Sequence, residues 1–126
     1  MPDTRKIRFS ISMTPTELPA IGGWANGFSL TKELTGDLNG SSEGLFINAG
    51  QDEGMRSYVV VERLAGTTTE GGDAGVVVEH GGVENDDSAW FGRIVPGTGI
   101  GEWEGMTGTI KFDSDDDGEF MLLTLN

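Results

Sequence analysis

The chain reads as an all-β protein: eight short antiparallel strands rolled into one closed up-and-down barrel. Three observations carry this. Segments that alternate apolar and polar residues recur at spacings of about 10–15 positions, joined by tight polar turns. No segment sustains a helical period. Glycine occurs 21 times without a three-residue repeat, between the apolar runs, where turns, bulges and tight barrel corners use it. An eight-stranded meander leaves two long edges unless it closes, and closure removes them. At eight strands the interior is just wide enough to be filled by side chains or to hold one small ligand. The length suits a single domain over residues 1–126 with one core.

In chain order, Lys6–Met13 alternates Ile7, Phe9, Ile11 and Met13 against Arg8, Ser10 and Ser12, a half-buried strand. Pro15 and Pro19 predict a long loop over Thr14–Gly23, with Trp24 capping one end of the core. Asn26–Thr35 sets Phe28, Leu30 and Leu34 opposite Ser29, Thr31, Glu33 and Thr35. Leu38–Ala49 is a third strand, weakened by Gly40 and Gly44, with Glu43, Leu45 and Ile47 on one face. Met55–Leu64, Ala74–His80 and Ser88–Val95 follow, separated by the turns at Thr67–Asp73 and Asn85–Asp87. The glycine-rich stretch Pro96–Gly105 predicts a barrel-mouth loop with a short helical turn at about Gly101–Glu104, and Trp103 plugging or gating the opening. Met106–Phe112 and Glu119–Leu125 complete the eight.

Composition excludes several function classes. With 21 acidic residues against 8 basic, a net of −13, the surface repels phosphate backbones and anionic lipid, so neither nucleic acid nor membrane is an expected partner. The acidity serves solubility or adaptation to a salty host. Without cysteine there is no disulfide, thiolate chemistry or thiolate-held metal. One histidine does not build a catalytic zinc site, so no metal and no cofactor are expected. No signal-like or membrane-spanning apolar run is present, and the expectation is a soluble, cytoplasmic protein.

Other motifs stop short. Asp113–Gly118 begins as a calcium loop, but Thr124 stands where its closing glutamate belongs, so an acidic hairpin turn is the better reading. Gly97–Gly101 lacks the third glycine and the βαβ context of a dinucleotide site. No G-x-S-x-G elbow supports Ser-His-Asp catalysis.

Three stretches are distinctive: Val61-Glu62-Arg63-Leu64-Ala65-Gly66, Val76-Val77-Val78-Glu79-His80-Gly81-Gly82, and Val95-Pro96-Gly97-Thr98-Gly99-Ile100-Gly101-Glu102-Trp103-Glu104-Gly105-Met106-Thr107-Gly108. Together they resemble a bacterial domain-of-unknown-function family with an ERV-x-G strand, a strand ending in QH-x-G, and a PGSGTGEL-x-GL-x-G loop. The chain departs from that pattern at Glu79, at Gly72–Gly75 and at Ile100. The resemblance implies an allene-oxide-cyclase-like barrel around a central cavity. Related barrels include cyclases that fold a bound polyene or epoxide without a cofactor, an analogy at the level of fold.

Strand period two places Tyr58, Val60, Glu62 and Leu64 on one face and Val76, Val78 and His80 on one face of the next strand. If both faces line the barrel, Glu62 and His80 lie within a rung or two of each other. A carboxylate in an apolar barrel is driven to a raised pKa unless a partner is near, and a Glu–His pair there suits proton transfer. The expected catalytic set is therefore Glu62, His80 and Tyr58, with Glu43, Phe28, Val60, Val78, Trp90 and Trp103 contacting substrate. The favoured function is a cofactor-independent isomerase or cyclase enclosing a small, mostly apolar or amphipathic molecule. The alternatives are a non-catalytic binding or carrier barrel, and a solid barrel acting through a surface or a homo-oligomer contact.

Overall fold

The computed structural model describes residues 3–18 and 23–126. Among them lie nine strands and no helix: β1 (Asp3–Thr16), β2 (Ala25–Gly36), β3 (Asn39–Ala49), β4 (Ser57–Thr67), β5 (Asp73–Val83), β6 (Asp86–Ile94), β7 (Ile100–Gly101), β8 (Gly108–Asp115) and β9 (Gly118–Leu125). Strands β1 to β6 pair antiparallel in succession, β6 pairs β8, β8 pairs β9, and β9 returns to β1. Eight strands thus close a barrel. With no helix among the described residues, none is long and apolar enough to cross a membrane.

The helical turn expected at Gly101–Glu104 does not form. Strand β6 ends at Ile94, opposite Val78, and leaves the start of β5 without a partner on that side. Backbone groups there need hydrogen bonds. Ile100 and Gly101 supply them as β7, opposite Gly75 and Ala74, and Glu102–Gly105 then turns. Proline 15 does not end β1 either: it stands opposite Phe28 inside the β1–β2 ladder. Strand β1 pairs β9 only over Asp3–Arg8, so Phe9–Thr16 is an edge, and an edge tolerates a residue without N–H. Trp24 is 63% exposed and caps nothing. Pro19 and the rest of residues 19–22 lie outside the described residues.

The barrel has two unlike ends. One is solid: Ile7, Leu34, Leu64, Val76, Ile94 and Leu123 pack together, and Trp103 tucks beneath them, 3% exposed. The other end is open. There β1 runs past the end of its pairing with β9 as a lip, with Ile11 and Met13 exposed along its edge. The acidic turn Asp116-Asp117 is a two-residue hairpin closed by Asp115 opposite Gly118, whose φ of 115° suits glycine. Hydrogen bonds from Arg8 at 2.7 and 2.8 Å hold the Asp115 carboxyl below its usual range.

On β3 the inward row is Ser42, Gly44 and Phe46, opposite Lys32, Leu30 and Phe28 of β2. A Cβ at Gly44 would sit 2.6 Å from the Glu62 Cβ and 2.4 Å from the Val61 carbonyl oxygen. Leu45, on the outward row, is exposed. Gly44→Val is therefore expected to lower the free energy of unfolding by about 1–3 kcal/mol, the usual cost of overpacking. Leu45→Thr should stay within about 0.5 kcal/mol of the parent, as surface changes do. Urea denaturation of the two variants checks the assignment, and the reverse order of stabilities would contradict it.

Candidate functional site

Four consecutive strands send one polar side chain each to the same point inside the barrel: Lys32 from β2, Ser42 from β3, Glu62 from β4 and His80 from β5. All four are buried. The placement follows from register. Lys32 stands opposite Ser42, Glu62 opposite the side-chain-free Gly44, and His80 opposite Val60, one rung above Glu62.

Glu62 is the hub, at 1% exposure. Ser42 Oγ donates to its Oε1 at 2.7 Å. Lys32 Nζ donates to Oε2 at 2.9 Å, and His80 Nε2 lies 2.7 Å from the same oxygen. Burial alone pushes the carboxyl up. The donors outweigh it, the His80 hydrogen bond first, then Lys32, then Ser42, and hold it at about 2. Burial pushes the Lys32 ammonium down, and Glu62 opposes that. The Lys32 Nζ also lies 4.5 Å from the centre of the Phe9 ring and 4.6 Å from that of Phe112, a cation–π sandwich.

The ionised Glu62 accepts, so His80 carries its proton on Nε2 and leaves Nδ1 as a lone pair when neutral. That Nδ1 is buried and has no hydrogen-bond partner among the described residues. Buried polar atoms are rarely left so.

Above this cluster opens a cavity of about 330 Å³ with mostly apolar walls, within the range of small-ligand sites. Lys32 and His80 lie on its wall, with Phe9, Phe46, Tyr58, Val60, Trp90 and Phe112 around them and Ile11 and Met13 at the lip. Trp90 meets Phe112 edge-on at 5.7 Å, and Phe46 stacks on Tyr58 at 5.5 Å. Burial raises the Tyr58 hydroxyl, which stays protonated as a donor.

Among the residues expected to form the site, Tyr58, Val60, His80 and Trp90 line this cavity, with Glu62 directly behind it. Phe28 packs edge-on against Phe46 at 5.8 Å, one ring removed. Val78 is in the solid core. Two expectations need correction. Glu43 points outward, its side chain 70% exposed and paired with Arg63 at 2.8 Å, because the small residues Ser42 and Gly44 take the inward row. Trp103 closes the opposite, solid end, because the loop after β6 emerges at the other end from the one that His80 approaches. Lys32, Ser42, Phe9 and Phe112 were not singled out. The signal for Lys32 was its phase, shared with Leu30 and Leu34.

The ion pair also bears on stability. Glu62→Gln leaves an uncompensated ammonium and is expected to cost about 3–5 kcal/mol, whereas Lys32→Met/Glu62→Gln removes both charges and should recover most of that loss. Glu62 titrates below its ordinary 4.5, at about 2, so its contribution is present above pH 4.5 and is lost as pH falls through 2. The lowered Lys32 acts in the opposite sense, favouring the unfolded chain until pH rises above its titration. Denaturation between pH 2 and 4.5 should therefore show a shallower pH slope for the double variant than for the parent. Equal slopes would mean that Glu62 is not held ionised.

A model of the family described as a protein of unknown function, DUF3224, matches residues 9–126. The fold is similar to the crystal structure of a protein with unknown function from the DUF3224 family of Shewanella oneidensis MR-1, with a TM-score of 0.83 and 24% identity over 100% of this chain and 97% of that one. At that identity the likeness speaks for the fold. No curated protein matches the chain. The match over residues 9–126 makes this chain a member of the DUF3224 family.

Proposed function

We propose that the barrel takes a mostly apolar small molecule into its open end and moves a proton within it, a cofactor-independent isomerisation or cyclisation. The observation that carries this reading is the buried, unpartnered Nδ1 of His80, a residue that lines the mostly apolar cavity.

The roles differ from the simplest Glu–His relay. Glu62 has both oxygens engaged and is held at about 2, so it is a weak base. It positions His80 and fixes the tautomer, and His80 Nδ1 takes the proton. Lys32 supplies the positive charge that stabilises the electron pair left behind when a carbonyl or similar acceptor lies beside it. Aromatic walls hold the substrate's conformation, which can lower a barrier by restricting its freedom. Tyr58 offers a hydroxyl from the rim. A proton returns at another atom, so no co-reactant is consumed. The resemblance to allene-oxide-cyclase-like barrels supports the reading by analogy of fold.

The second reading is a carrier that binds the same kind of molecule unchanged. The full engagement of Glu62 favours it, since the cluster could serve recognition alone.

Native mass spectrometry of the protein purified from its own host identifies the molecule that accompanies it. That molecule, incubated with the protein in heavy water, should exchange hydrogen for deuterium at carbon. His80→Gln should slow the exchange by about 10²–10⁴, the range of general acid–base catalysis. Binding without exchange would leave the carrier reading standing, and exchange unaffected by His80→Gln would contradict the role given to His80.

A further inference from the structure

Lys32 is an unusual occupant for its position. Its row on β2 otherwise carries Leu30 and Leu34 into the barrel, and a leucine or methionine there would complete the lining. A buried ion pair is often no more stabilising than such a side chain. The lysine therefore calls for another reason, and its surroundings supply one. Lys32 lines the cavity, and its Nζ has Glu62 Oε2 at 2.9 Å as an oxygen acceptor and the faces of Phe9 and Phe112 at 4.5 and 4.6 Å on other sides. Nζ also lies 4.0 Å from the Met121 sulfur. This cage suits a cation that bears a carbon substituent as well as it suits an ammonium.

We infer that Lys32 captures carbonyl compounds covalently: an aldehyde or ketone on a mostly apolar molecule condenses with Nζ in the open cavity to form a protonated imine. The inference rests on the reading that this cavity takes a small molecule, and it names the class. Nζ gives a proton to Glu62 Oε2, its partner at 2.9 Å, and its lone pair forms the N–C bond while the carbonyl π pair moves to oxygen. A proton passes from nitrogen to that oxygen. The nitrogen lone pair then expels the hydroxyl, which takes the proton back from Glu62 and leaves as water. The ammonium and the carbonyl have become an iminium and one water, with no oxidant, reductant or net proton consumed.

The charge is unchanged throughout, so Glu62 and the two rings hold product as they held reactant. Burial, which lowers the ammonium, makes the free amine accessible. The apolar walls keep out the water that would hydrolyse the imine. An iminium also acidifies the neighbouring C–H, giving His80 Nδ1 a proton to take and connecting capture to isomerisation.

The test uses the full chain and 2-naphthaldehyde with sodium cyanoborohydride at neutral pH, followed by intact mass and peptide mapping. The other lysines, Lys6 and Lys111, are internal controls. The expected result is a reduced adduct on Lys32 in preference to both, competed away by excess 2-methylnaphthalene and absent from Lys32→Arg. In parallel, binding of 2-methylnaphthalene, which has no carbonyl, is read from the ring NMR signals of His80, the chain's single histidine and a residue of the cavity lining. If it binds but aldehyde labels only Lys6, Lys111 or the terminal amine, carbonyl capture is overturned while the ligand-binding cavity stands. If neither compound enters the cavity, both readings fall. Because the controls lie within the parent protein, the result holds even if Lys32→Arg fails to fold.

Discussion

A carboxylate buried in an apolar barrel has to be neutralised, and the interior of this protein is arranged around that requirement. Glu62 has no route to solvent at 1% exposure. Its charge is met by Lys32, by His80 and by the Ser42 hydroxyl, each from a different neighbouring strand. The space for this convergence comes from Gly44, whose missing side chain lets Glu62 sit against β3. Removing Lys32 strips the carboxylate of its ion-pair partner, and a side chain at Gly44 would clash with Glu62. Four strands are thereby tied in register by one side chain.

The same convergence divides the barrel. Below the cluster, aliphatic side chains and Trp103 fill the lumen. Above it, the walls are aromatic and the lumen widens to a cavity of about 330 Å³ beneath the free edge of β1. A polar layer at this boundary has a consequence for chemistry. His80 is held by one nitrogen from behind, while its other nitrogen has no partner among the described residues. Lys32 is likewise held from behind by Glu62 and flanked by rings. The groups that balance the buried charge are the same ones to which the proposed proton transfer is assigned, so the cluster is preorganised without a separate supporting layer.

Much of this was legible in the residues, and the exceptions have identifiable causes. Alternation located all eight barrel strands, because each keeps one apolar row. Glu62 and His80 could be paired because both sit in phase with apolar neighbours on adjacent strands. Lys32 obeys the same phase rule between Leu30 and Leu34, but a lysine interrupting an apolar row is easily passed over. Strand β3 misled for a physical reason: its inward row is small rather than apolar, since the room is needed by side chains from β2 and β4, and only tertiary packing reveals that. Trp103 could have been placed by counting strands, since loops after even- and odd-numbered staves of an up-and-down barrel emerge at opposite ends. The two-residue β7 carries no periodic signal; it exists because β5 outlasts β6. Pro15 is compatible with a strand only because that part of β1 is an edge, a fact of topology.

The central claim is that Glu62 holds His80 by Nε2 and leaves Nδ1 as the available acceptor. The chain has one histidine, so its imidazole nitrogen spectrum contains a single residue. Nitrogen-15 NMR of the imidazole, followed through its titration, reads the tautomer directly. The account predicts that the neutral ring is the Nε2–H form, with Nδ1 unprotonated, and that this preference is lost in Glu62→Gln. A neutral ring protonated at Nδ1, or an even mixture of the two forms in the parent protein, would contradict it.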